Sequence, residues 1–347
     1  MIRDTDVITM DGAMPLNELV TRLLQYEIEV YRLCDTNARI RKVLGDTVDR
    51  VIRDYQQGDP SAHRELHQTL AAIYSVHFAT PLTKNVNNQW DPDIVRIQRR
   101  LEDAWEMYEQ SRIPHLDIPQ DPRKFIAWFK ELVLSHPATD HALYHYLQDS
   151  ATRTQVAHFF VQETTIDTRF DDLVALAQVG MDGPPKMELG QNYWDEMGNG
   201  NPALVHTTMF NQLLEELAVQ PGDDIPVLSE ALACGNVLSF TILHRRNAWK
   251  GLGALGVLEM ISPQRFRRLV KGFGRIGLSS RAQQYHALHV SIDARHGHGW
   301  LHRAIRPLIE QDPSIARDIV YGGFYRLNTS LDYVEHLTAL YTSGAIQ

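Results

Sequence analysis

Apolar residues along this chain recur at spacings of three and four and show no convincing alternation at two. Leu16, Leu19, Val20, Leu23 and Leu24, then Ile40, Val43, Leu44, Val48 and Val51, mark one or two amphipathic helices between Leu16 and Gln57. Gly-Asp-Pro at 58–60 breaks the pattern, which resumes as a helix from Ala62 to Phe78. The polar loop from Thr80 to Pro92 and a helix from Asp93 to Ser111 follow. Three prolines in IPHLDIPQDPRK at 113–124 make that stretch the best boundary, so 1–115 is expected to be a helical extension and 116–347 the main body. The extension carries no clustered chemistry and is expected to act as a cap or as the contact of a homodimer.

Beyond the boundary, FIAWFKELVL, HALYHYLQDSATRTQVAHFFVQET and DDLVALAQVG continue the helical spacing, and MDGPPK at 181–186 reads as a turn. A glycine-rich kink separates Glu196 from a helix carrying His206. After the loop AVQPGDDIP comes LSEALACGNVLSFTILHRRNAWKGLGALGVLEM, one long helix or two, which Pro263 is expected to end. FRRLVKGFGRIGLSS leads into a histidine-rich helix, and two more helices complete the chain. The expected class is all-α.

The densest chemistry lies in QYHALHVSIDARHGHGWLH, residues 284–302, which holds five histidines and one aspartate. On a helix, His289, Asp293 and His296 stand at i, i+4 and i+7 and point within roughly 60° of one another. Val290 and Ile292 can bed that helix in a core, where a polar ladder requires a partner such as a metal; an exposed helix would leave it solvated. Other candidates sit on separate helices: Glu163 in HFFVQET, Glu196 in WDEMGNG, His206, and Glu259 in GVLEM. Each alone could be a capped or ion-paired core residue. Together they form a mixed nitrogen and oxygen set, suited to non-heme iron or manganese and too oxygen-rich for copper or structural zinc.

Composition narrows the remaining classes. With 34 Lys+Arg against 43 Asp+Glu, a formal charge of −9 and no long basic run, nucleic acid is not an expected partner. The two cysteines, Cys34 and Cys234, form no CxxC, which fits a reducing cytoplasm and excludes thiolate-rich sites. MIRDTDVITMDG has no apolar signal core and no stretch reaches the ~18 apolar residues of a membrane span, so a cytoplasmic protein is expected. GLGALG at 251–256 and GFGRIG at 272–277 match a dinucleotide fingerprint formally, but neither follows a strand. Close helix packing accounts for the first and an inter-helix turn for the second. There is no GxSxG, no HExxH, and no Glu-x-x-His of the ferritin-like di-iron bundles.

The residues resemble the heme-oxygenase-like di-iron oxidases and oxygenases, the iron-containing redox enzymes. The resemblance rests on W-D-E-M-G-N-G with His206 ten residues beyond Glu196, on H-R-R, on a glutamate thirty residues before His289, and on H-x3-D-x2-H, between Phe159 and Gly322. It implies a seven-helix heme-oxygenase-like bundle in which Glu196, His206, Glu259, His289, Asp293 and His296 hold two Fe(II) ions, or manganese. Glu163 matches a further carboxylate of some members. Glu196, Glu259 and Asp293 would be catalytic as well, with O2 as co-substrate and an electron donor of unknown identity. The implied reactions are N-oxygenation, desaturation or carbon–carbon cleavage of a small amine- or carboxylate-bearing metabolite, of the kind met in secondary metabolism. Gly297 stands where many relatives carry Glu, and Ala203 where some carry a carboxylate, which weakens transfer of a reaction type. Arg245 and Arg246, after His244, are candidates for binding a substrate carboxylate or for surface ion pairs. A heme-binding protein of the same bundle and a metal-free helical interaction protein are the alternatives.

Overall fold

The structure, a computed structural model, describes residues 14–219 and 225–346. The opening stretch MIRDTDVITMDG and residues 220–224 of the loop AVQPGDDIP lie outside them. Among the described residues there is no strand. The chain divides between Arg112 and Ile113 into two compact units.

The first unit holds α1 (Leu16–Leu24), α2 (Val30–Thr36), α3 (Ala38–Gln56), α4 (Pro60–His77) and α5 (Pro92–Ser111). The apolar stripes read from the sequence turn inward: Leu16, Leu19, Val20 and Leu23 of α1, and Leu44, Val48 and Val51 of α3, are at most 3% exposed. Asp-Pro does more than break the pattern. Asp59 and Asp91 cap α4 and α5 by accepting from the backbone N–H groups of Ser61 and Ala62, and of Asp93 and Ile94. The proline that follows each sits where a helix needs no N–H. Inside the unit the buried Glu102 carboxylate accepts from the Tyr74 hydroxyl and the Gln98 amide.

The second unit comprises α6 (Pro122–Ser135), α7 (Ala142–Asp149), α8 (Arg153–Glu163), α9 (Phe170–Ala177), α10 (Gly183–Glu196), α11 (His206–Leu217), α12 (Ser229–Leu243), α13 (Ala248–Arg275), α14 (Ser280–Gly299), α15 (Arg306–Gln311) and α16 (Ala316–Thr342). A π-helical stretch, Trp300–Ile305, joins α14 to α15. Its axis is α13, which packs along both α14 and α16. Backbones touch where glycines leave room: a Cβ on Gly253 would overlap the Ile319 carbonyl, and one on Gly322 the Lys250 carbonyl. The small-residue reading of GLGALG therefore describes the α13–α16 contact. The other glycine match is divided, with Gly272 and Gly274 inside α13 and Gly277, at φ +74°, in the turn beyond it.

Three expectations are corrected. Pro263 does not end a helix but lies inside α13. An interior proline costs ~3 kcal/mol, and here Arg265, Leu269 and Phe273 bury the following turns and carry the helix on. MDGPPK is not a turn throughout, since Gly183 opens α10 and both prolines fall in its first turn, where no N–H is required. The stretch HALYHYLQDSATRTQVAHFFVQET is two helices, because Thr152 and Gln155 form a capping box that starts α8 afresh. The prediction from the α13–α16 contact is that Gly253→Ala destabilises the protein by ~1–3 kcal/mol or more through overpacking, read as a lower thermal midpoint. Gly274→Ala, with nothing within 4 Å of the added carbon, should leave the midpoint unchanged or raise it. Equal effects of the two would contradict the packing argument.

Candidate metal centre

Glu196 is the last residue of α10, and the backbone then turns through three left-handed positions, Gly198 (φ +60°), Asn199 (φ +53°) and Gly200 (φ +85°). A Cβ on Gly198 would sit 2.5 Å from the Leu204 carbonyl carbon, so the loop folds tightly onto itself and only glycine fits there. Asn199 tolerates the left-handed region, and its amide donates to Asp195 Oδ1 at 3.1 Å. The loop thereby delivers His206, first residue of α11, to Glu196, with Nδ1 2.7 Å from Oε2.

α13 and α14 supply the rest. Pro263 has no N–H for the Glu259 carbonyl four residues earlier. Gly297 of α14 lies against that carbonyl, and a Cβ added to it would stand 3.1 Å from the oxygen. On α14, capped by Ser279, the ladder His289, Asp293 and His296 faces inward, each no more than 5% exposed. Ile292 is buried beside it and Val290 is half-buried.

The side chains gather as two trios, Glu196–His206–His289 and Glu259–Asp293–His296. In each, the candidate donor atoms lie within 4.8 Å of one another. Hydrogen bonds set which ring nitrogen is available. His289 Nδ1 donates to the Tyr285 carbonyl at 2.7 Å, leaving Nε2 for the cavity, and His296 Nε2 donates to Asp195 Oδ2 at 3.0 Å, leaving Nδ1 3.5 Å from Glu259. Nδ1 of His206 and Nδ1 of His296 face carboxylates, at 2.7 Å from Glu196 and 3.5 Å from Glu259, while Nε2 of His206 has no partner among the described residues. Imidazole nitrogens and carboxylate oxygens that converge this closely while buried are placed as ligands of a shared cation would be, and the donor set suits iron or manganese.

The electrostatics point the same way. Burial, then the charges of Glu259, Glu196 and Asp167, push the Asp293 carboxyl well above its usual range. Burial raises Glu196 against the opposing pull of His206. Burial lowers His289 well below an ordinary imidazole. Burial works against a charged His296, yet Glu259 and Asp195 push it up to about 9, so a proton there offsets part of the negative charge. A small chamber of about 30 Å³ adjoins both trios, walled by Ile166, Phe170, Leu258 and Phe266, with Asp167 and Tyr285 facing it.

Glu163 stands outside both trios. Its carboxylate accepts from the Tyr333 hydroxyl at 2.8 Å, and burial raises its pKa. The carboxylate that reaches the chamber from this region is Asp167, four residues on, whose Oδ1 accepts from Tyr285 while Oδ2 has no partner among the described residues. Sequence reasoning missed Asp167, and it missed Asp195, although the latter adjoins Glu196. It also passed over His286, buried among Phe160, Phe266 and Phe273, which burial drives down to about 3 and keeps neutral. Of the two readings open for Arg245 and Arg246, their exposure fits the surface one: neither lines the chamber, and the Arg245 guanidinium lies against Gly180.

The prediction concerns Asp195. A carboxylate that fixes the orientation of a ligating histidine is worth ~10–100-fold in metal affinity. Asp195→Asn should weaken Mn(II) binding by that order while leaving far-UV circular dichroism unchanged. Undiminished affinity would mean that Asp195 does not orient His296.

The family of proteins described as iron-containing redox enzymes matches this chain over residues 157–330, a span that holds both trios. No protein of curated function matches. Among solved structures, a CADD-like protein of unknown function from Nostoc punctiforme is similar with a TM-score of 0.51 at 17% identity, over 63% of this chain and 97% of its own. A domain of unknown function with a heme oxygenase-like fold, from Shewanella denitrificans, gives a TM-score of 0.46 at 16% identity, over 67% and 97%.

Proposed function

The chain belongs to the family of iron-containing redox enzymes, with an all-α, heme-oxygenase-like fold, and from that premise we propose that it is an O2-activating non-heme di-iron oxidase or oxygenase. The observation that carries the reading is the pair of facing trios, each with carboxylate and imidazole donors, buried side by side. Glu196, His206 and His289 would hold one iron, and Glu259, Asp293 and His296 the other. Iron bound there supplies the one-electron steps that O2 requires to react with a closed-shell organic molecule.

The protein's own contribution is orientation, dryness and charge. The Tyr285 carbonyl and Asp195 hold the outward ring nitrogens of His289 and His296, so that Nε2 of His289 presents a lone pair and Nδ1 of His296 would do so once a cation displaces its extra proton. Ile166, Phe170, Leu258 and Phe266 keep the adjoining chamber apolar, and its volume of about 30 Å³ admits a water or a diatomic gas. The Tyr285 hydroxyl, donating to Asp167, holds a proton at the chamber wall. Burial and neighbouring carboxylates raise Asp167, which keeps a second proton there. The substrate would be a small amine- or carboxylate-bearing molecule, and electrons would come from a separate donor.

Anaerobic titration with Fe(II), read by calorimetry, should give two ions per chain, falling to one or none in Asp293→Ala and in His206→Ala. A stoichiometry of zero in the unaltered protein would overturn the proposal in favour of a metal-free role. Because a cation relieves repulsion among buried carboxylates, part of its binding free energy stabilises α14 locally. Amide hydrogen exchange across Tyr285 to Trp300 should therefore slow when Mn(II) is added to the apoprotein, and much less so in Asp293→Ala. Identical protection with and without Mn(II) would show an ordinary packed helix.

A further inference from the structure

One side of α10 faces solvent without a charge on it. Met187, Gln191 and Trp194 stand at i, i+4 and i+7, so they project on the same side of the helix, and all three are exposed. The opposite side holds Glu188, Leu189, Asn192 and Asp195, all buried. Past the end of the helix the surface continues over the loop that leads to α11, where Asn199, Asn201 and Leu204 are exposed. The Trp194 indole rests on that loop, since a Cβ added at Gly200 would stand 3.1 Å from its ring. Met187 and Trp194 are large apolar side chains, yet 74% and 49% of their surfaces remain in water.

From Met187 to Leu214 the charged residues Glu188, Asp195 and Glu196 are all buried, so none of the exposed residues along that stretch is charged. The chain as a whole is 22% charged with a formal −9, and two copies of it repel wherever their acidic surfaces meet. A two-fold contact brings each patch against itself. Carboxylates or ammonium groups cannot satisfy their own copies, whereas amides donate and accept alike and can. Gln191, Asn199 and Asn201 are amides. Tryptophan and methionine with little charge around them are also what the centre of a protein interface is made of. A charged partner finds no fixed charge on this face to pair with, so the surface suits a second copy of this chain.

The face is also connected to the metal centre. The exposed amides of Gln191 and Asn199 donate to Asp195 Oδ1 at 3.3 and 3.1 Å, and the other oxygen of that carboxylate accepts from His296 Nε2 at 3.0 Å. Asp195 therefore joins the outer surface to a member of the second trio. Glu196 and His206, of the first trio, stand at the two ends of the loop itself.

We propose that two copies of this chain pair through the outer side of α10 and the loop at 198–204, with Trp194 as the anchor, and that pairing and cation binding support one another through Asp195. A cation that fixes His296 also fixes Asp195, and with it Gln191 and Asn199, so less freedom is left to lose when the copies meet. By reciprocity the paired form holds the cation more tightly. The contact is independent of the di-iron reading; only its linkage to a cation rests on that reading.

The experiment is sedimentation equilibrium of the full chain across the micromolar range, first as apoprotein and then with Mn(II). A particle of twice the 39.7 kDa of one chain is expected. Trp194→Ala should weaken dimerisation by ~30-fold, the size of effect that an aromatic anchor gives. Met187→Glu, which brings two carboxylates into the contact, should weaken it roughly tenfold. Because Met187 is exposed, that substitution should leave the thermal midpoint of the monomer unchanged. Trp90→Ala removes an exposed tryptophan of the first unit and should leave the dimer as it was. Mn(II) should tighten the dimer about fivefold. A monomer throughout, a dimer indifferent to both Trp194→Ala and Met187→Glu, or a dimer lost in Trp90→Ala would each overturn the proposed face. A dimer equally tight with and without bound Mn(II) would overturn the linkage. If Mn(II) fails to bind, the di-iron reading falls, and the dissociation constants of the apoprotein and its variants still decide the face.

Discussion

The larger unit is built around an electrostatic cost: Glu196, Glu259, Asp293 and Asp167 are gathered with His206, His289 and His296 where water does not reach. Burying one isolated ion costs several kcal/mol even after relaxation, and four carboxylates in one place cannot all ionise without a counter-charge. The protein meets part of that cost with protons, since Asp293, Asp167 and Glu196 are all raised and His296 is held charged by Glu259 and Asp195. What is left suits a multivalent cation. The remaining features follow from keeping these groups at fixed positions: the left-handed turn after Glu196, the glycine contact between α13 and α16, and the aromatic packing of Phe160, Phe266 and Phe273 around His286.

Parts of this were legible in the sequence because they follow from helical periodicity alone. The ladder on α14 projects onto one face at 3.6 residues per turn whatever surrounds it, and Glu259 stands out as a lone acid in an apolar run. The Glu196–His206 pair was legible as a spacing, though not the reason for it, which is a reversal through Gly198, Asn199 and Gly200. Asp195 was not legible, because at the end of a helix the direction of one side chain depends on how the next loop leaves. Asp167 lies past the end of α8, where helical spacing from Glu163 no longer fixes a direction. Pro263 misled because a local rule was set against long-range burial, and burial prevailed. Arg245 and Arg246 stayed open in the sequence because closeness to a motif along the chain does not fix closeness in space.

Two cavities of different size meet at the second trio. One of about 30 Å³ adjoins both trios and is walled by phenylalanine, leucine and isoleucine; the other, about 330 Å³, reaches the same two carboxylates from solvent. Glu259 and Asp293 form the partition between them.

Trp300 closes against α13 with its indole N–H on the Leu252 carbonyl at 2.8 Å and its ring over Gly256, one turn before Glu259 meets Gly297. These two contacts act as indexing pins between neighbouring rods. A slip of one residue along the axis would move α14 by ~1.5 Å and rotate its side chains by ~100°, lifting the indole out of its notch and driving a Cβ-bearing residue into the Glu259 carbonyl. Small slips are therefore as costly as large ones, and the second trio, which spans both helices, cannot be tuned gradually by sliding them. Its geometry is inherited from a register that the helices either keep or lose.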